Sequence, residues 1–278
     1  MRSCSVARVS DQAERARRFR ALHGGGSPLL LPNPWDIGSA VLLASLGFEA
    51  LATTSSGYAA TLGRLDGSVT RDEALAHAEA IVGATDLPVS ADLENAFAGD
   101  AAGVGETVRL AVATGLAGCS VEDFTGHAQE PIYPLEVAAE RVAAAAESGA
   151  ASGFVLTARS ENYLHGNPDL ANTIARLQAY QEAGADVLYA PGLRELADIR
   201  SVVESVDRPV NVLALPGAPA VAELAAAGVK RVSVGGGFAY AAIGALVESG
   251  RELLEAGTYS FWERAAKGSK AVRSAFAG

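Results

Sequence analysis

Acidic side chains follow several short apolar runs of this 278-residue chain. Asp92 and Glu94 are separated by one residue, so both leave the end of an extended run on the same side. An oxygen-only cluster, without cysteine or paired histidine, favours a hard divalent cation such as Mg²⁺ or Mn²⁺. Helix capping and surface ion pairing are the alternative uses of such residues. The predicted metal-binding residues are Asp66, Asp92, Glu94 and Glu122.

Arg159 ends the fifth apolar run, and Glu161 lies just beyond it. A guanidinium at a strand end suits a two-donor clamp on a substrate carboxylate or enolate, whereas pairing with one of the acids is its structural alternative. A Thr-Ser-Ser-Gly turn after the second run offers hydroxyls and backbone N–H groups for a carboxylate. The predicted substrate-binding residues are Thr54, Ser55, Ser56, Gly57, Arg159 and Asn211.

Two of the four histidines lie in loops that follow acidic or basic run ends. His127 follows the fourth run and His165 follows the fifth, and each is predicted either as an acid–base group or as a residue of a covering loop. The candidate catalytic set is His127 with Arg159 and Asp92. The other two, His23 and His77, are expected at the surface of an outer helical layer.

Short apolar runs alternate with Ala-rich stretches of helical spacing, and a glycine ends several of these stretches. Runs that are apolar on both faces are typical of parallel strands covered by helices. Eight such units predict a (β/α)₈ barrel; a doubly wound open sheet is the alternative, although no GxGxxG follows the first run. The predicted strands are 29–33, 50–54, 88–92, 118–122, 153–158, 186–190, 209–213 and 230–234. The predicted helices are near 36–46, 70–83, 101–114, 134–148, 168–183, 194–205, 218–227 and 238–255.

Both chain ends lie outside the predicted barrel. A helix is expected over about 11–22, and a helical extension over about 258–278. The whole chain, 1–278, is therefore interpreted as one barrel domain.

Composition excludes several classes of function. Lys and Arg number 22 against 32 Asp and Glu, so the net charge of −10 argues against nucleic acid or an anionic membrane as a partner. No run approaches the ~20 apolar residues of a membrane span, and no secretion signal is recognised, so a cytoplasmic protein is expected. Cys4 and Cys119 cannot form a disulfide framework, and Cys119 is expected to be a core thiol. Only three lysines occur, Lys230, Lys267 and Lys270, which leaves almost no candidate for a Schiff base.

These segments together resemble the isocitrate lyase/phosphoenolpyruvate mutase superfamily. The resemblance covers roughly residues 10–255 and is carried by LPNPWD at 31–36, TSSG at 54–57, DLE at 92–94, VED at 121–123 and AR at 158–159. It implies a (β/α)₈ barrel whose last helix is swapped between subunits of a homodimer or homotetramer. It also implies a Mg²⁺ or Mn²⁺ ion chelated by an α-keto or 2-hydroxy acid.

By the same resemblance, Asp92 is the direct metal ligand, while Glu94, Glu122 and Asp66 hold metal-bound waters. Arg159 binds the substrate, and the backbone of residues 54–56 holds its carboxylate.

The chain departs from the family in the loop after the fourth strand. The lyases carry a Lys-Lys/Arg-Cys-Gly-His loop, but residues 124–133 read FTGHAQEPIY, with neither Cys nor Lys. The usual thiol acid for isocitrate or methylisocitrate cleavage is therefore absent. The Lys and Asn of the phosphonopyruvate mutases are absent from this loop, and YAPG at 189–192 lacks their histidine.

The sequence therefore predicts a Mg²⁺-dependent lyase of the phosphonomutase-like branch. It would act on a small α-keto or 2-hydroxy (di)carboxylic acid through an enolpyruvate-like intermediate, as an oxaloacetate decarboxylase or hydrolase does. A carbon–phosphorus phosphonomutase or phosphonopyruvate hydrolase is one alternative. A non-catalytic homologue that binds a metal and a keto acid is another.

Overall fold

The protein was analysed as a computed structural model that describes the backbone of residues 2–277 and the side chains of residues 12–277. Within this range eight parallel strands form one sheet, each within two residues of its predicted bounds. The strands are β1 Leu29–Leu31, β2 Leu51–Ala52, β3 Val89–Asp92, β4 Gly118–Glu122, β5 Val155–Arg159, β6 Val187–Tyr189, β7 Val210–Leu213 and β8 Arg231–Ser233.

The sheet curls until its ends meet. Its strand order runs β1-β8-β7-β6-β5-β4-β3-β2, and β1 pairs with β8 in the register Leu29↔Arg231. On the other side of β1, the Ala52 N–H donates to the Pro32 carbonyl at 3.0 Å. The predicted (β/α)₈ barrel is thus confirmed, and the open-sheet alternative is wrong.

Helices follow the strands and cover the outside of the barrel. They are α1 Arg2–Leu22, α2 Ile37–Ser45, α3 Ser55–Thr61, α4 Arg71–Gly83, α5 Ala101–Ala113, α6 Leu135–Ala150, α7 Leu170–Glu182, α8 Leu196–Glu204, α9 Val221–Ala226, α10 Gly237–Arg251, a π-helical turn Glu252–Ala256, and α11 Trp262–Phe276. α3 is absent from the sequence-based prediction, which treated residues 55–67 as a loop. Thr54 begins this helix, since its Oγ1 accepts the Gly57 N–H at 3.4 Å.

The main hydrophobic core lies between the barrel and the helices. Cys119 belongs to it and is fully buried, as expected. A smaller cluster packs α1 under the barrel, with Phe19 at its centre. Gly118 sits beside this cluster, and a Cβ there would lie 2.4 Å from the Val155 carbonyl oxygen, so β4 can approach β5 here only with glycine.

The C-terminal helices leave large apolar side chains in solvent. Ala239 is the buried residue of α10, whereas Leu246 and Leu254 are 72% and 87% exposed. α11 contacts α2, yet Trp262 at its start is 65% exposed. The described helices include none that is long and apolar enough to cross a membrane.

His23 lies on the floor of the barrel, so the expectation of a surface position is wrong. It is 5% exposed because the end of α1 turns under the strands, where its ring meets Phe19 edge-on at 4.9 Å. Its Nδ1 is 2.8 Å from the Phe19 carbonyl, and its Nε2 is 3.5 Å from Nη1 of the buried Arg231. Burial, followed by the charge of Arg231, lowers the pKa of His23 from 6.5 to about 4. His77 also differs from expectation, since it is half-buried and stacks on Tyr58 at 3.9 Å.

We predict that His23 makes the fold sensitive to acid. Between pH 6.5 and about 4 the unfolded chain binds a proton on His23 that the folded protein excludes. The contribution of neutral His23 to the free energy of unfolding should therefore be fully present above pH 6.5. It should fall by about 3 kcal/mol as the pH drops through 4. Denaturant unfolding at several pH values measures this loss.

His23→Asn should reduce the pH dependence of unfolding, because the titrating group is gone. His127→Asn removes an exposed histidine and should leave the pH dependence as in the wild type. An identical pH slope in the wild type and His23→Asn would contradict the prediction.

Candidate active site

Three polar side chains occupy neighbouring strand ends at one mouth of the barrel. Asp92 ends β3, Glu122 ends β4 and Arg159 ends β5, and the register pairs Glu122 directly with Arg159. Because all strands are parallel, their carboxyl ends open on the same rim, where the loops of such barrels carry chemistry. The mouth holds a cavity of about 430 Å³, lined by Ser55, Asp66, Gly67, Glu94, Glu122, Phe124, Arg159, Glu161, Leu164 and His165.

Arg159 joins the acidic groups of the mouth. Its Nη1 is 3.2 Å from Oε2 of Glu122 and 3.7 Å from Oδ1 of Asp92, while its Nε donates to Oε1 of Glu161. The guanidinium carbon lies 5.4 Å from the centre of the Tyr189 ring. Three carboxylates around one cation, whose side chain is 17% exposed, fix the plane of the guanidinium, which is the condition for directional binding.

Asp92 is held between two strands. Its backbone N–H donates to Oγ1 of Thr53 at 3.0 Å, and its Oδ2 accepts the Ser55 N–H, at the start of α3, at 3.3 Å. The Ser120 hydroxyl lies 3.5 Å from Oδ1. These contacts set the carboxylate before any ligand arrives.

Glu94 brings a carboxyl to the mouth whose negative charge is poorly compensated. Its Oε1 is buried and has no hydrogen-bond partner among the described residues. Burial, then the charges of Asp92 and Asp66, raises the pKa of Glu94 to about 7. The backbone of Glu94 adopts a left-handed φ of 50°, which is uncommon for a residue with a side chain.

The carboxyls of Glu122 and Asp66 are also poorly compensated. Burial raises the pKa of Glu122 well above its ordinary value, although Arg159 opposes the shift. Burial also raises the pKa of Asp66, against a hydrogen bond from Ser55. Five carboxyls, counting Asp92 and Glu161, therefore lie around Arg159, and added positive charge would stabilise their ionised forms.

The donor set fits Mg²⁺ or Mn²⁺ bound largely through water. The ligands are all oxygens, and Glu94 brings an unpartnered buried oxygen to the mouth. In the part of the chain that the structure describes, no three metal-ligating side chains are assembled as a ready cation cage. Mg²⁺ typically takes one or two carboxylates and keeps several waters, so a preassembled cage is not required.

The predicted carboxylate turn is partly committed to the protein itself. The Ser55 N–H donates to Asp92, and the Gly57 N–H donates to Oγ1 of Thr54. The same Oγ1 lies 3.2 Å from Oγ of Ser56. Gly57 admits no side chain, since a Cβ would lie 2.6 Å from the Thr54 methyl group.

Asn211 lies within the barrel, on the wall of a smaller cavity of about 60 Å³ that reaches Asp92 and Arg159. Its amide donates to the Ser233 hydroxyl at 2.9 Å and accepts from Nε of Arg231 at 2.9 Å. Its side chain is thus held to the cavity wall through both its nitrogen and its oxygen, each with one hydrogen bond.

The structure does not bring His127 to the mouth with Arg159 and Asp92. His127 is exposed in the loop after β4, where its N–H donates to Oγ1 of Thr125 at 3.0 Å. It lines a separate pocket with Gln129 and Tyr133. The bend that turns this loop outward is closed by a bridge between Phe124 and Ile132.

The mouth instead includes Glu161 and His165. His165 is the second histidine predicted as an acid–base group or a covering-loop residue, whereas Glu161 has no predicted role. The Glu161 side chain is 2% exposed and is bonded to Arg159, and its other oxygen, Oε2, is 3.4 Å from Nε2 of His165. The i, i+4 spacing of these two residues after a strand end was the signal available in the sequence.

Asp123, the second acid of the Glu-Asp pair, faces the helices. It pairs with Nη1 of Arg176 at 3.1 Å, accepts the Tyr180 hydroxyl, and accepts the Glu161 N–H at 2.8 Å. Alternation along β4 thus sends Glu122 to the mouth and Asp123 to the layer that supports Glu161.

Comparison with known proteins agrees with this architecture. The profile of the phosphoenolpyruvate phosphomutase family matches residues 19–254. The crystal structure of a lyase/mutase from Burkholderia cenocepacia J2315 is 50% identical and superposes with a TM-score of 0.93. The match covers 96% of this chain and 98% of that protein. A second structure from that organism, described only by the class phosphonomutase, is 36% identical with a TM-score of 0.80, over 89% of this chain and 100% of its own.

The 2-methylisocitrate lyase of Escherichia coli K12 is 30% identical over 202 residues, which span 70% of this chain and 68% of that enzyme. Profile, sequence and superposition all cover the barrel and its mouth. The chain therefore belongs to the phosphoenolpyruvate phosphomutase family, within the isocitrate lyase/phosphoenolpyruvate mutase superfamily.

Proposed function

We propose that the protein is a divalent-metal-dependent carbon–carbon lyase for a small 2-oxo or 2-hydroxy (di)carboxylic acid. The observation that carries this proposal is the mouth itself, where Arg159 is fixed by three carboxylates beside acids that lack counter-charge. Such an acid carries negative charge to the arginine, and its cleavage puts further charge on the keto oxygen. The 2-methylisocitrate lyase relative supports the lyase class.

Asp92 would bind the metal directly, and Glu94, Glu122 and Asp66 would hold its waters. A bound Mg²⁺ or Mn²⁺ would supply Lewis-acid chemistry at the oxygens of the acid. The unpartnered Oε1 of Glu94 and the raised pKa values of Glu94, Glu122 and Asp66 support this placement.

The chain's own residues bind and orient the acid. Arg159 offers a fixed cation to its carboxylate or to the enolate oxygen, and the start of α3 offers the hydroxyl of Ser55. A cation already in place stabilises developing charge without reorganising at the moment of reaction. The C3 bond then breaks toward an enolpyruvate-like product.

Metal removal tests this function. Protein treated with EDTA should lose turnover on a panel of 2-oxo and 2-hydroxy dicarboxylates that includes oxaloacetate, and Mg²⁺ or Mn²⁺ should restore it. Asp92→Asn should reduce turnover more than Glu94→Gln, because a direct ligand fixes the ion whereas a water-mediated one tunes it. Steady-state kinetics with each metal gives both results.

Asp72→Asn is the matched control, since that carboxylate is 87% exposed and lies outside the mouth. Full turnover after chelation would contradict the proposal. Turnover of phosphonopyruvate alone would favour the carbon–phosphorus alternative, and metal-dependent binding without turnover would favour the binding homologue.

Arg159→Lys should fold but lose activity. Lysine keeps the charge and loses the planar pair of donors, so kcat should fall by ~10²–10³ if the arginine stabilises charge that develops in the reaction. A rise in KM with unchanged kcat would restrict Arg159 to ground-state binding. Arg109→Lys, on an arginine 61% exposed, is the control. Wild-type kcat and KM in Arg159→Lys would make the arginine structural.

We also propose that the protein is a homodimer or homotetramer in which the exposed faces of α10 and the π-helical turn are covered by another copy. A single exposed leucine is ordinary, but a continuous stretch of exposed apolar side chains is typical of a subunit contact. The exposed apolar side chains of α10 and the turn are Phe238, Tyr240, Ile243, Leu246, Val247, Leu253 and Leu254. An exchange of α10 between subunits, as the family resemblance implies, would cover this face.

Leu246→Glu combined with Leu254→Glu should dissociate the oligomer, because each substitution places a charge in the apolar contact. Sedimentation velocity measures the change in mass. Leu46→Glu adds the same charge at a site 73% exposed outside these helices and should leave the assembly intact. A monomeric wild type would contradict the proposal.

A further inference from the structure

The turn after β5 presents an acid–histidine pair to the mouth. The backbone N–H of His165 donates to the Glu161 carbonyl at 3.1 Å, and the N–H of Leu164 donates to the same oxygen at 3.0 Å. This single helical turn stacks the side chains of residues i and i+4. Nε2 of His165 consequently lies 3.4 Å from Oε2 of Glu161.

Hydrogen bonds made by a buried asparagine side chain hold this turn in place. Asn162 is fully buried, and its amide donates to Oδ1 of Asn172 and to Oγ1 of Thr173, both at 3.0 Å. On the other side, the Asn162 carbonyl accepts the Asn167 N–H at 2.9 Å. The turn is therefore anchored to α7, and His165 is carried on a fixed support.

The Glu161 carboxylate is fixed from two directions. Its backbone N–H is bonded to Oδ1 of Asp123 at 2.8 Å, and its Oε1 accepts from Nε of Arg159. Burial alone would raise the pKa of Glu161, but the charges of Arg159 and His165 outweigh it and hold the pKa below its ordinary value. Glu161 is thus an ionised acceptor aimed at one nitrogen of the imidazole.

His165 itself faces the cavity. Its ring stacks on Phe124 at 3.9 Å and 10°, and its side chain is 27% exposed, in contrast to the 2% of Glu161. Nδ1 takes part in no hydrogen bond with the residues that the structure describes. The ring is therefore oriented by Glu161 and Phe124, and one nitrogen is left for a ligand in the 430 Å³ cavity.

We propose that His165 is the proton-transfer residue of this mouth and does the work for which the related lyases use a loop thiol. The inference rests on the proposed function. When a 2-oxo acid is cleaved, the electron pair of the bond between C3 and the departing fragment enters the C2–C3 enolate, and that fragment leaves without the pair, as CO₂ does in a decarboxylation. C3 then takes the proton from Nδ1 of the His165 imidazolium, and the neutral imidazole regains a proton from water. Glu161 keeps Nε2 protonated throughout.

The reverse proton transfer, from C3 to His165, can be tested without knowing the identity of the second fragment. Neutral His165 should remove a C3 proton from a product-like 2-oxo acid such as pyruvate, so the Mg²⁺-loaded protein in D₂O should exchange the methyl protons of pyruvate. Proton NMR follows this exchange. His165→Asn should lower the exchange rate by ~10²–10⁴, the range typical of a general acid or base.

Two measurements separate proton transfer from a structural role. His165→Asn should bind oxalate, a mimic of the enolate, with wild-type affinity in the presence of Mg²⁺. Free imidazole should restore exchange to His165→Ala, since it can replace the missing ring. His127→Asn makes the same change in the neighbouring loop, and its exchange rate should match the wild type.

The outcomes divide the two proposals. If the wild type exchanges and His165→Asn exchanges at the same rate, this inference is overturned and the lyase proposal stands. The same conclusion follows if the loss of exchange occurs in His127→Asn instead. A loss that imidazole does not restore and that accompanies weak oxalate binding makes His165 structural and also overturns it. No exchange by the wild type overturns this inference, and the turnover panel then decides the lyase proposal separately: turnover without exchange leaves the lyase standing, whereas no turnover overturns both.

Discussion

The ion pairs of Arg159 are the interaction on which the mouth of this barrel depends. Three strand-end or loop carboxylates reach the same guanidinium, which is largely shielded from solvent by them. Removing the arginine would leave these carboxylates close together without their counter-charge. The loss would lie below the about 3–5 kcal/mol of a fully buried pair, because the Arg159 and Asp92 side chains are 17% and 18% exposed. The arginine that can meet a substrate is thus also the residue that keeps the acids together while the mouth is empty.

The barrel supplies this arrangement in two layers. Strand alternation turns Glu122 inward and its neighbour Asp123 outward, so one dipeptide serves both the mouth and the shell behind it. Asp123 meets Arg176 from α7 and fixes the backbone of Glu161. The helical layer therefore reaches the reacting groups through buried hydrogen bonds, and errors in its packing would be transmitted to the rim.

The periodic features of the fold could be predicted from the sequence, and the local ones only in part. Eight apolar runs ended by polar residues require parallel strands, and the rim that collects Asp92, Glu122 and Arg159 follows from the parallel order. His127 misled because the distance of a loop residue from a strand end does not say which way the loop bends; here the Phe124–Ile132 bridge turns it outward. His23 misled because its burial comes from a tertiary contact under the barrel, which helical spacing cannot encode.

The left-handed backbone of Glu94 sets stability against function. A residue with a Cβ costs about 1–2 kcal/mol in this conformation, whereas glycine adopts it freely. Glycine at position 94 would also remove a buried carboxyl whose pKa is raised to about 7, and so relieve two penalties at once. A search for thermostable variants would therefore select against this residue, so position 94 gives up stability for a carboxylate at the mouth.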